Sequence, residues 1–338
     1  MNAVSDEQMK PAGVSAAPVA QGEWRVEAVR VWAAMPRKGF FLALAAAWAL
    51  VFQFLGNATF GHIDSASLFV WLHGVYTAPH QNDDHGLLMP LVIAGLLWWK
   101  REALLAVHKE VWWPGLLILA VATAMHVVGY VIQQPRLSSV ALFLGLYGLT
   151  GLAWGRAWLR ESFFPFFLFA FCVPVGSLAE NITFPMRLVV TEVSVALAQG
   201  LGISVVQDGS RIFDEARTFQ YDVAPACSGI RSLMALLALG TIYGWMTFQA
   251  WWRRGLLIAV ALPLAVIGNV ARVTAVIITG HFAGQKAGET LHDYAGFVTF
   301  AVAMACVLWL GRVLREEATA DSGGAARSSP PPQTLARP

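Results

Sequence analysis

The stretch Val223–Ser232 reads V-A-P-A-C-S-G-I-R-S and leads directly into the apolar run of residues 233–248. An apolar run of this length is close to the roughly 20 residues that cross a bilayer core, so it predicts a transmembrane helix. Cys227 therefore lies just before the N-terminus of the predicted helix, where the positive end of the helix dipole favours a thiolate. This thiol is our candidate nucleophile, and the alternative is a small packing residue.

The composition places the whole chain in the membrane class. Of 338 residues, 57% are hydrophobic and only 13% are charged, and this is about half of the charged fraction of a typical soluble domain. The formal net charge of +2 gives no reason to expect a nucleic-acid partner. Cys172 and Cys306 lie inside apolar runs and are predicted to pack in the core, so the three cysteines do not indicate a disulfide framework.

Aromatic and basic residues at the ends of the apolar runs set the predicted topology. The sequences W-W-K-R at residues 98–101 and W-W-R-R at residues 251–254 are typical of a cytoplasmic boundary. Residues 57–85 contain no Lys or Arg and are predicted to be external. About eight spans, with both chain ends in the cytoplasm, satisfy this pattern: residues 39–55, 86–99, 111–132, 137–154, 163–178, 230–248, 256–278 and 294–314.

Two segments between the fifth and sixth spans are predicted to lie outside the membrane. Residues 184–201 are apolar but interrupted by a proline and by charged residues. Because a crossing here would move the W-W-R-R boundary to the outer side, we expect an amphipathic helix along the outer interface. In residues 203–223, the pair Asp208-Gly209 is a turn signal and apolar residues later alternate with polar ones, which predicts a small external hairpin.

The predicted fold class is therefore an all-α integral membrane protein with about eight transmembrane helices, an outer amphipathic helix and a small extracytoplasmic β-hairpin. Residues 38–315 are expected to form one multipass membrane domain. Residues 1–37 and 316–338 mix charged residues with Ala, Gly and Pro, and we expect them to be disordered cytoplasmic tails.

Polar side chains on two later helices are predicted to lie at the membrane level of Cys227. Arg272 falls late in the seventh span, and an arginine at this depth usually faces the protein interior or a wet cavity. Asn269 is three residues earlier on the same helical face, and His292 stands just before the eighth span. A thiol, a histidine and an arginine can supply a nucleophile, an acid–base group and an oxyanion stabiliser, which is the chemistry of a cysteine protease or transpeptidase.

These assignments have structural alternatives. Arg272 could instead extend toward the interface or pair with Asp293. His281 lies in the same predicted outer loop and is a rival for the role of His292. The external segment also carries six residues that could bind a metal, but their spacing matches no compact ligand motif, so we expect a solvated loop and no metal site. These residues are His62, His73, His80, Asp83, Asp84 and His85.

Three sequence blocks in the chain resemble those of the exosortases and archaeosortases, a family of multipass membrane proteins. They are A-C-S-G-I-R-S around Cys227, N-V-A-R-V-T around Arg272 and H-D-Y-A-G-F from His292. The resemblance covers about residues 38–315. Pro225, where many members have an acidic residue, is a departure that concerns the subfamily.

The resemblance implies a function and a site. Members are thought to recognise a C-terminal sorting signal of exported proteins, which is a short motif such as Pro-Glu-Pro followed by a transmembrane helix and a basic cluster, and to cleave at the motif. It implies that Cys227 is the nucleophile, that His292 transfers the proton and that Arg272 stabilises the oxyanion. No cofactor is expected, and the site would face the periplasm from the bacterial inner membrane.

Arg231 and Asn269 are the candidates for substrate binding. Arg231 is four residues after Cys227 and could favour the thiolate or bind carboxylates of the substrate, whereas its alternative is an interface anchor. The expected partners are C-terminal sorting signals and the lipid bilayer, with no nucleic acid. The alternative function is a non-catalytic membrane component of exopolysaccharide export or assembly.

Overall fold

The computed structural model describes residues 23–60, 63–78, 83–214, 220–222 and 230–322, and this part of the chain is mostly helical. The α-helices are Glu23–Ala34 (α1), Lys38–Phe54 (α2), Leu68–Thr77 (α3), His85–Trp99 (α4), Arg101–Ala106 (α5), Gly115–Val131 (α6), Pro135–Phe167 (α7), Gly176–Gly200 (α8), Ile230–Thr247 (α9), Trp251–Ala283 (α10) and Gln285–Ser322 (α11). A 3-10 helix spans Leu168–Cys172, and three strands lie between α8 and α9.

Long apolar runs form helices close to where the sequence predicts them. The ends of α2, α4, α6 and α9 lie within four residues of the predicted first, second, third and sixth spans, and α10 and α11 contain the seventh and eighth. Within the described residues, three segments are long and apolar enough to cross a membrane, namely Pro135–Cys172, Trp251–Ala283 and Tyr294–Leu314. The bent pair of α1 and α2 would add a fourth. The chain is thus a multipass membrane protein, and the number of eight spans stays a prediction.

The α7 helix contains the predicted fourth span and corrects the predicted fifth. Its backbone breaks at Gly155, with φ 95 and ψ 175, so two helical pieces meet there. The predicted span 163–178 is wrong as a single helix, because α7 ends at Phe167 and the 3-10 helix follows. Val173 then turns to an extended conformation, with φ −83 and ψ 117. Pro174 explains the break, since a proline disfavours helical geometry in the residue before it.

The segment predicted as an amphipathic helix, residues 184–201, is part of the longer helix α8. One face of α8 packs against α10: Val190 and Val195 share a core cluster with Val273. The hydroxyl of Ser194 also donates to the carbonyl oxygen of Val270 at 3.3 Å. The helix therefore starts earlier than predicted, and its packed face makes it a support for α10.

The predicted hairpin is confirmed and belongs to a three-stranded antiparallel sheet. Its strands are Val205–Asp208 (β1), Arg211–Asp214 (β2) and Gln220–Asp222 (β3), in the order β1-β2-β3. Asp208 pairs with Arg211, so Gly209 and Ser210 form a two-residue turn. Gly209 has φ 61, which a glycine adopts without steric cost.

Helix α9 joins the N-terminal helices to the pair formed by α10 and α11. Leu236 of α9 packs with Ala261 of α10 and Ala303 of α11. Ala238, also on α9, belongs to another core cluster that includes Ile93 of α4 and residues of the 3-10 helix. Small residues at these contacts let the helix backbones approach closely.

The described parts of the two predicted tails are helical. Residues 23–34 form α1, and α11 continues to Ser322, so the prediction of disorder is wrong for these residues. The α1 helix makes an angle of 94° with α2 and does not continue it. Its Glu27 carboxylate accepts from Arg30 at 2.6 Å and from Arg101 of the α4–α5 region at 3.0 Å. The ion pair with Arg101 ties α1 to the start of α5.

Replacing Gly155 with Ala is expected to destabilise the protein by about 1–3 kcal/mol, because this backbone conformation is essentially restricted to glycine. A Cβ at Gly155 would also lie 3.1 Å from the carbonyl oxygen of Glu110. Thermal unfolding in detergent measures the effect. Gly95→Ala in α4 is the control, since no heavy atom lies within 4 Å of its Cβ position. Equal melting temperatures for the two variants would contradict the prediction.

Glu27→Gln is expected to release α1 from α5. Hydrogen bonds from Arg30 and then Arg101 hold the pKa of Glu27 at about 2, below its ordinary value of 4.5. The carboxylate therefore supports the attachment of α1 above pH 4.5, and this support is lost as the pH falls toward 2. At pH 7, hydrogen exchange of the α1 amides should be faster in Glu27→Gln and unchanged in the control Arg25→Gln. Arg30 also pairs with Glu102 of α5, so slow exchange in Glu27→Gln would show that the pair of Glu27 with Arg101 does not hold the helix.

Candidate active site

The predicted pair Arg272 and His292 is in direct contact. Nη2 of Arg272 donates to the main-chain carbonyl oxygen of His292 at 2.9 Å and lies 3.1 Å from Nε2 of the same residue. Arg272 is on α10, and His292 is in the second turn of α11. The two helices are joined at Gly284, whose φ of 85 allows the sharp reversal between them. One nitrogen of the guanidinium thus fixes both the backbone and the ring of His292.

The contact between the two side chains specifies the protonation of the histidine. Arginine has only donors, so Nε2 of His292 must accept. The proton of the neutral ring then sits on Nδ1. A doubly protonated ring has no lone pair to offer, so this arrangement requires a neutral imidazole whose remaining donor points away from Arg272.

Gly296 creates the space in which the guanidinium lies. It is four residues after His292 and therefore on the same face of α11. A Cβ at this position would lie 3.4 Å from Cζ of Arg272 and 3.5 Å from Nη1. The guanidinium therefore rests flat against the backbone of α11. The motif H-D-Y-A-G-F supplies both the histidine and the glycine that lets the arginine approach it.

A narrow cleft opens beside Arg272 between α9, α10 and α11. Asn269 lines it together with Arg272 and is only 5% exposed. Ser232 and Thr299 also line the cleft and were missed from the sequence. Thr299 could have been found by periodicity, because it is seven residues, or two helical turns, after His292. The other lining residues are Leu236, Leu264, Ala265, Gly268, Phe300 and Ala303.

Comparison with known proteins identifies the family. The profile described as transmembrane exosortase matches residues 71–309, which is more than half of the chain. The chain belongs to the transmembrane exosortase family. No curated protein and no solved structure matches it. Membership supports a membrane transpeptidase role in general and the processing of exported proteins that carry sorting signals in the membrane.

Two predicted site residues of the exosortase are not placed by the structure. Cys227 lies outside the described residues, between Asp222 at the end of β3 and Ile230 at the start of α9. The backbone of Arg231 is in the first turn of α9, but its side chain is outside the described part, as is that of Asp293. The roles of Cys227 and Arg231 therefore remain predictions, and the observed partner of Arg272 is His292.

The rival histidine of the exosortase is not in the cleft. His281 is in the last turn of α10, nine residues and about 13 Å along the helix from Arg272. Its side chain is exposed, and its ring packs edge-on against Phe282 with a centroid distance of 4.9 Å. The geometry therefore favours His292 over His281 as the partner of Arg272.

The segment of the exosortase that is predicted to be external, residues 57–85, has a structural residue near its end. Asp83 is buried, and its carboxylate accepts from the main-chain nitrogen of Val175 at 3.1 Å. This bond ties the start of α4 to the residue before α8. His62 and His80 lie outside the described residues. Among the residues that are described, no three His, Cys, Asp or Glu side chains are grouped as metal ligands would be.

In the detergent-solubilised exosortase, His292 is expected to carry its proton on Nδ1 at neutral pH. Nitrogen NMR of histidine-labelled protein measures this, with the His292 signals identified by their loss in His292→Gln. Arg272→Gln should change the Nε2 signal, because an amide side chain can donate or accept. Arg156→Gln, at an exposed arginine of α7, is the control and should leave the signal unchanged. A protonated Nε2 in the parent protein would contradict the observed contact.

Proposed function

We propose that this exosortase is a membrane cysteine transpeptidase or endopeptidase that cleaves C-terminal sorting signals of exported proteins. Cys227 is the nucleophile, His292 the acid–base residue and Arg272 the oxyanion stabiliser. The observation that carries the proposal is the contact of Arg272 with His292 beside the cleft. A charged donor and an imidazole are thereby held together at the end of α9 that follows Cys227 in sequence.

The covalent connection limits how far Cys227 can be from this site. Cys227 is five residues before Ser232, which lines the cleft. Five residues of fully extended chain span at most about 18 Å, so the Cα atoms of Cys227 and Ser232 cannot be farther apart than that. A thiol within this distance of Ser232 is compatible with attack on a peptide bound over the cleft.

The proposed chemistry begins when Arg272 releases Nε2 of His292, which takes the proton of the Cys227 thiol, and the thiolate attacks the scissile carbonyl carbon. The carbonyl oxygen becomes an oxyanion, which the guanidinium of Arg272 stabilises. The carbon–nitrogen bond then breaks, and the amine leaves with the proton that the His292 imidazolium carries on Nε2. Attack of an acceptor amine or water on the thioester releases Cys227 and transfers the acyl group, while His292 takes up the acceptor's proton.

The resting contact assigns an order to the roles of His292. Its Nδ1 carries a proton, while its Nε2 lone pair is held by Arg272. In this state the ring has no free lone pair and cannot act as a base. If Arg272 moves its Nη2 hydrogen bond to the scissile carbonyl oxygen, Nε2 becomes available as a base. The arginine would thus couple charge development on the substrate to the basicity of the histidine.

The substrate-binding roles and the topology are part of the same proposal. Asn269 lies one helical turn from Arg272 on the cleft wall, where its amide can hold a peptide group of the signal. Arg231 would bind a carboxylate of the motif. The positive-inside pattern supports eight spans, with the site facing the periplasm from the bacterial inner membrane and residues 184–201 along the outer interface. A substrate anchored by one helix would then present its motif at the level of the cleft.

Cys227→Ala is expected to abolish processing of a co-expressed protein that ends in a short motif, a transmembrane helix and a basic cluster. Arg272→Gln should slow processing by about 10²–10³-fold, the usual effect of losing an oxyanion donor. Immunoblots of substrate cleavage over time measure both effects. Cys306→Ser, at an exposed position on α11, is the control and should process normally.

The amount of membrane-inserted protein must be equal for all variants. Full processing by Cys227→Ala would sink the cysteine mechanism and favour the alternative of a non-catalytic component of exopolysaccharide export. Full processing by Arg272→Gln, with Cys227→Ala inactive, would retain the nucleophile and remove the proposed role of the arginine.

A further inference from the structure

Tyr221, in the middle of β3, is seated in a socket at the junction of α10 and α11. Its hydroxyl donates to the main-chain carbonyl oxygen of Gln285 at 3.1 Å. Gly280 and Gly288 form the walls of the socket: a Cβ on Gly280 would lie 2.6 Å from the hydroxyl oxygen, and one on Gly288 would overlap it. Only glycine at both positions leaves room for this ring.

The hydroxyl is suited to serve as a permanent donor. Burial, together with the negative charge of Glu289, raises the pKa of Tyr221 above its ordinary value of 10. The group therefore stays protonated throughout the physiological range. Gln285 begins α11, and its carbonyl oxygen accepts from Tyr221, so the bond ties the strand to the start of that helix.

The socket lies close to the Arg272–His292 pair. Gly288 is four residues before His292, which is one helical turn or about 6 Å along α11. Gly280 is eight residues after Arg272 on α10. The same two helices therefore hold the tyrosine at their junction and the arginine and histidine just below it.

In the sequence, β3 precedes the proposed nucleophile. Tyr221 is six residues before Cys227 in the sequence, so a short segment connects the socket to the thiol. We infer that Tyr221 is a positioning residue, whose seat between Gly280 and Gly288 sets the register of the Cys227 segment against Arg272 and His292. The inference rests on the proposed function, because it assigns Tyr221 a role in bringing the thiol to the histidine.

A second tyrosine of the chain provides a matched control. Tyr243 of α9 packs on Gly311 of α11, where a Cβ would overlap the tyrosine ring. Gly311 is 19 residues after His292, about 28 Å farther along α11. Each tyrosine ring packs against a glycine of α11, but only the Tyr221 socket is next to the proposed site.

The test is the alkylation rate of Cys227 by iodoacetamide as a function of pH, in the full chain with Cys172→Ser and Cys306→Ser. His292→Gln is combined with each tyrosine variant in a double-mutant cycle. In the parent, loss of His292 should slow alkylation by about tenfold at pH 7, because a neighbouring imidazole promotes the thiolate. In Tyr221→Ala this dependence on His292 should fall to less than about twofold. Tyr221→Phe keeps the ring and should retain most of the dependence on His292. Tyr243→Ala should retain all of this dependence.

Gly288→Ala makes the same test without deleting the tyrosine and serves if Tyr221→Ala does not fold. Its methyl group would displace the ring, so the dependence on His292 should again be lost. If the alkylation rate depends on His292 in the parent and also in Tyr221→Ala and Gly288→Ala, the inference about Tyr221 is overturned while the proposed function stands. If the parent shows no dependence on His292, the pairing of Cys227 with His292 fails, and the positioning role fails with it.

Discussion

The guanidinium of Arg272 imposes the main constraint on the C-terminal helices. A charged arginine at membrane depth costs on the order of 3 kcal/mol unless it finds partners or water. Here the main-chain carbonyl oxygen and ring of His292 receive its hydrogen bonds, and the bare backbone at Gly296 lets it reach them. These contacts require α10 and α11 to lie close together. Small side chains at this interface, such as Ala265 and Ala303, satisfy the same requirement farther down the cleft.

Helix α10 supports the site on two of its faces. Asn269 and Arg272 face the cleft, whereas Val273 and Ile277 pack into the cluster that also contains Ile212 of β2. The sheet that precedes the Cys227 segment is therefore fixed to the same helix that presents the arginine. For the proposed nucleophile Cys227, a preceding sheet that is fixed to α10 lowers the conformational entropy lost on reaching a productive geometry.

The apolar helices and the nearness of Arg272 and His292 could be predicted because their signals are local or follow from topology, whereas their hydrogen bonds could not. A continuous apolar run specifies a helix, and the positive-inside pattern placed Arg272 and His292 at one level before any contact was known. The protonation of His292 could not be predicted, because it depends on the position of Nη2 to a fraction of an ångström. The Tyr221 socket is also invisible in the sequence, since it joins residues more than 50 positions apart.

The predicted disorder of residues 23–34 failed for a related reason. Short, mixed-charge segments carry little helical signal of their own, and the ion pairs of Glu27 with Arg101 depend on a partner 74 residues away. The end of the predicted fifth span failed because a proline was counted inside an apolar run, although Pro174 constrains Val173 to an extended geometry. Both errors concern contacts or backbone angles that hydropathy does not measure.

The two-residue turn between β1 and β2 has a practical consequence. Gly209 is exposed, and no heavy atom lies within 4 Å of the position that a Cβ would take there. The turn is thus a point where a short epitope or a fluorescent group can be inserted without disturbing the packed face of the sheet. A reporter inserted at this turn would lie on the same side of the membrane as the sheet and would therefore identify that side.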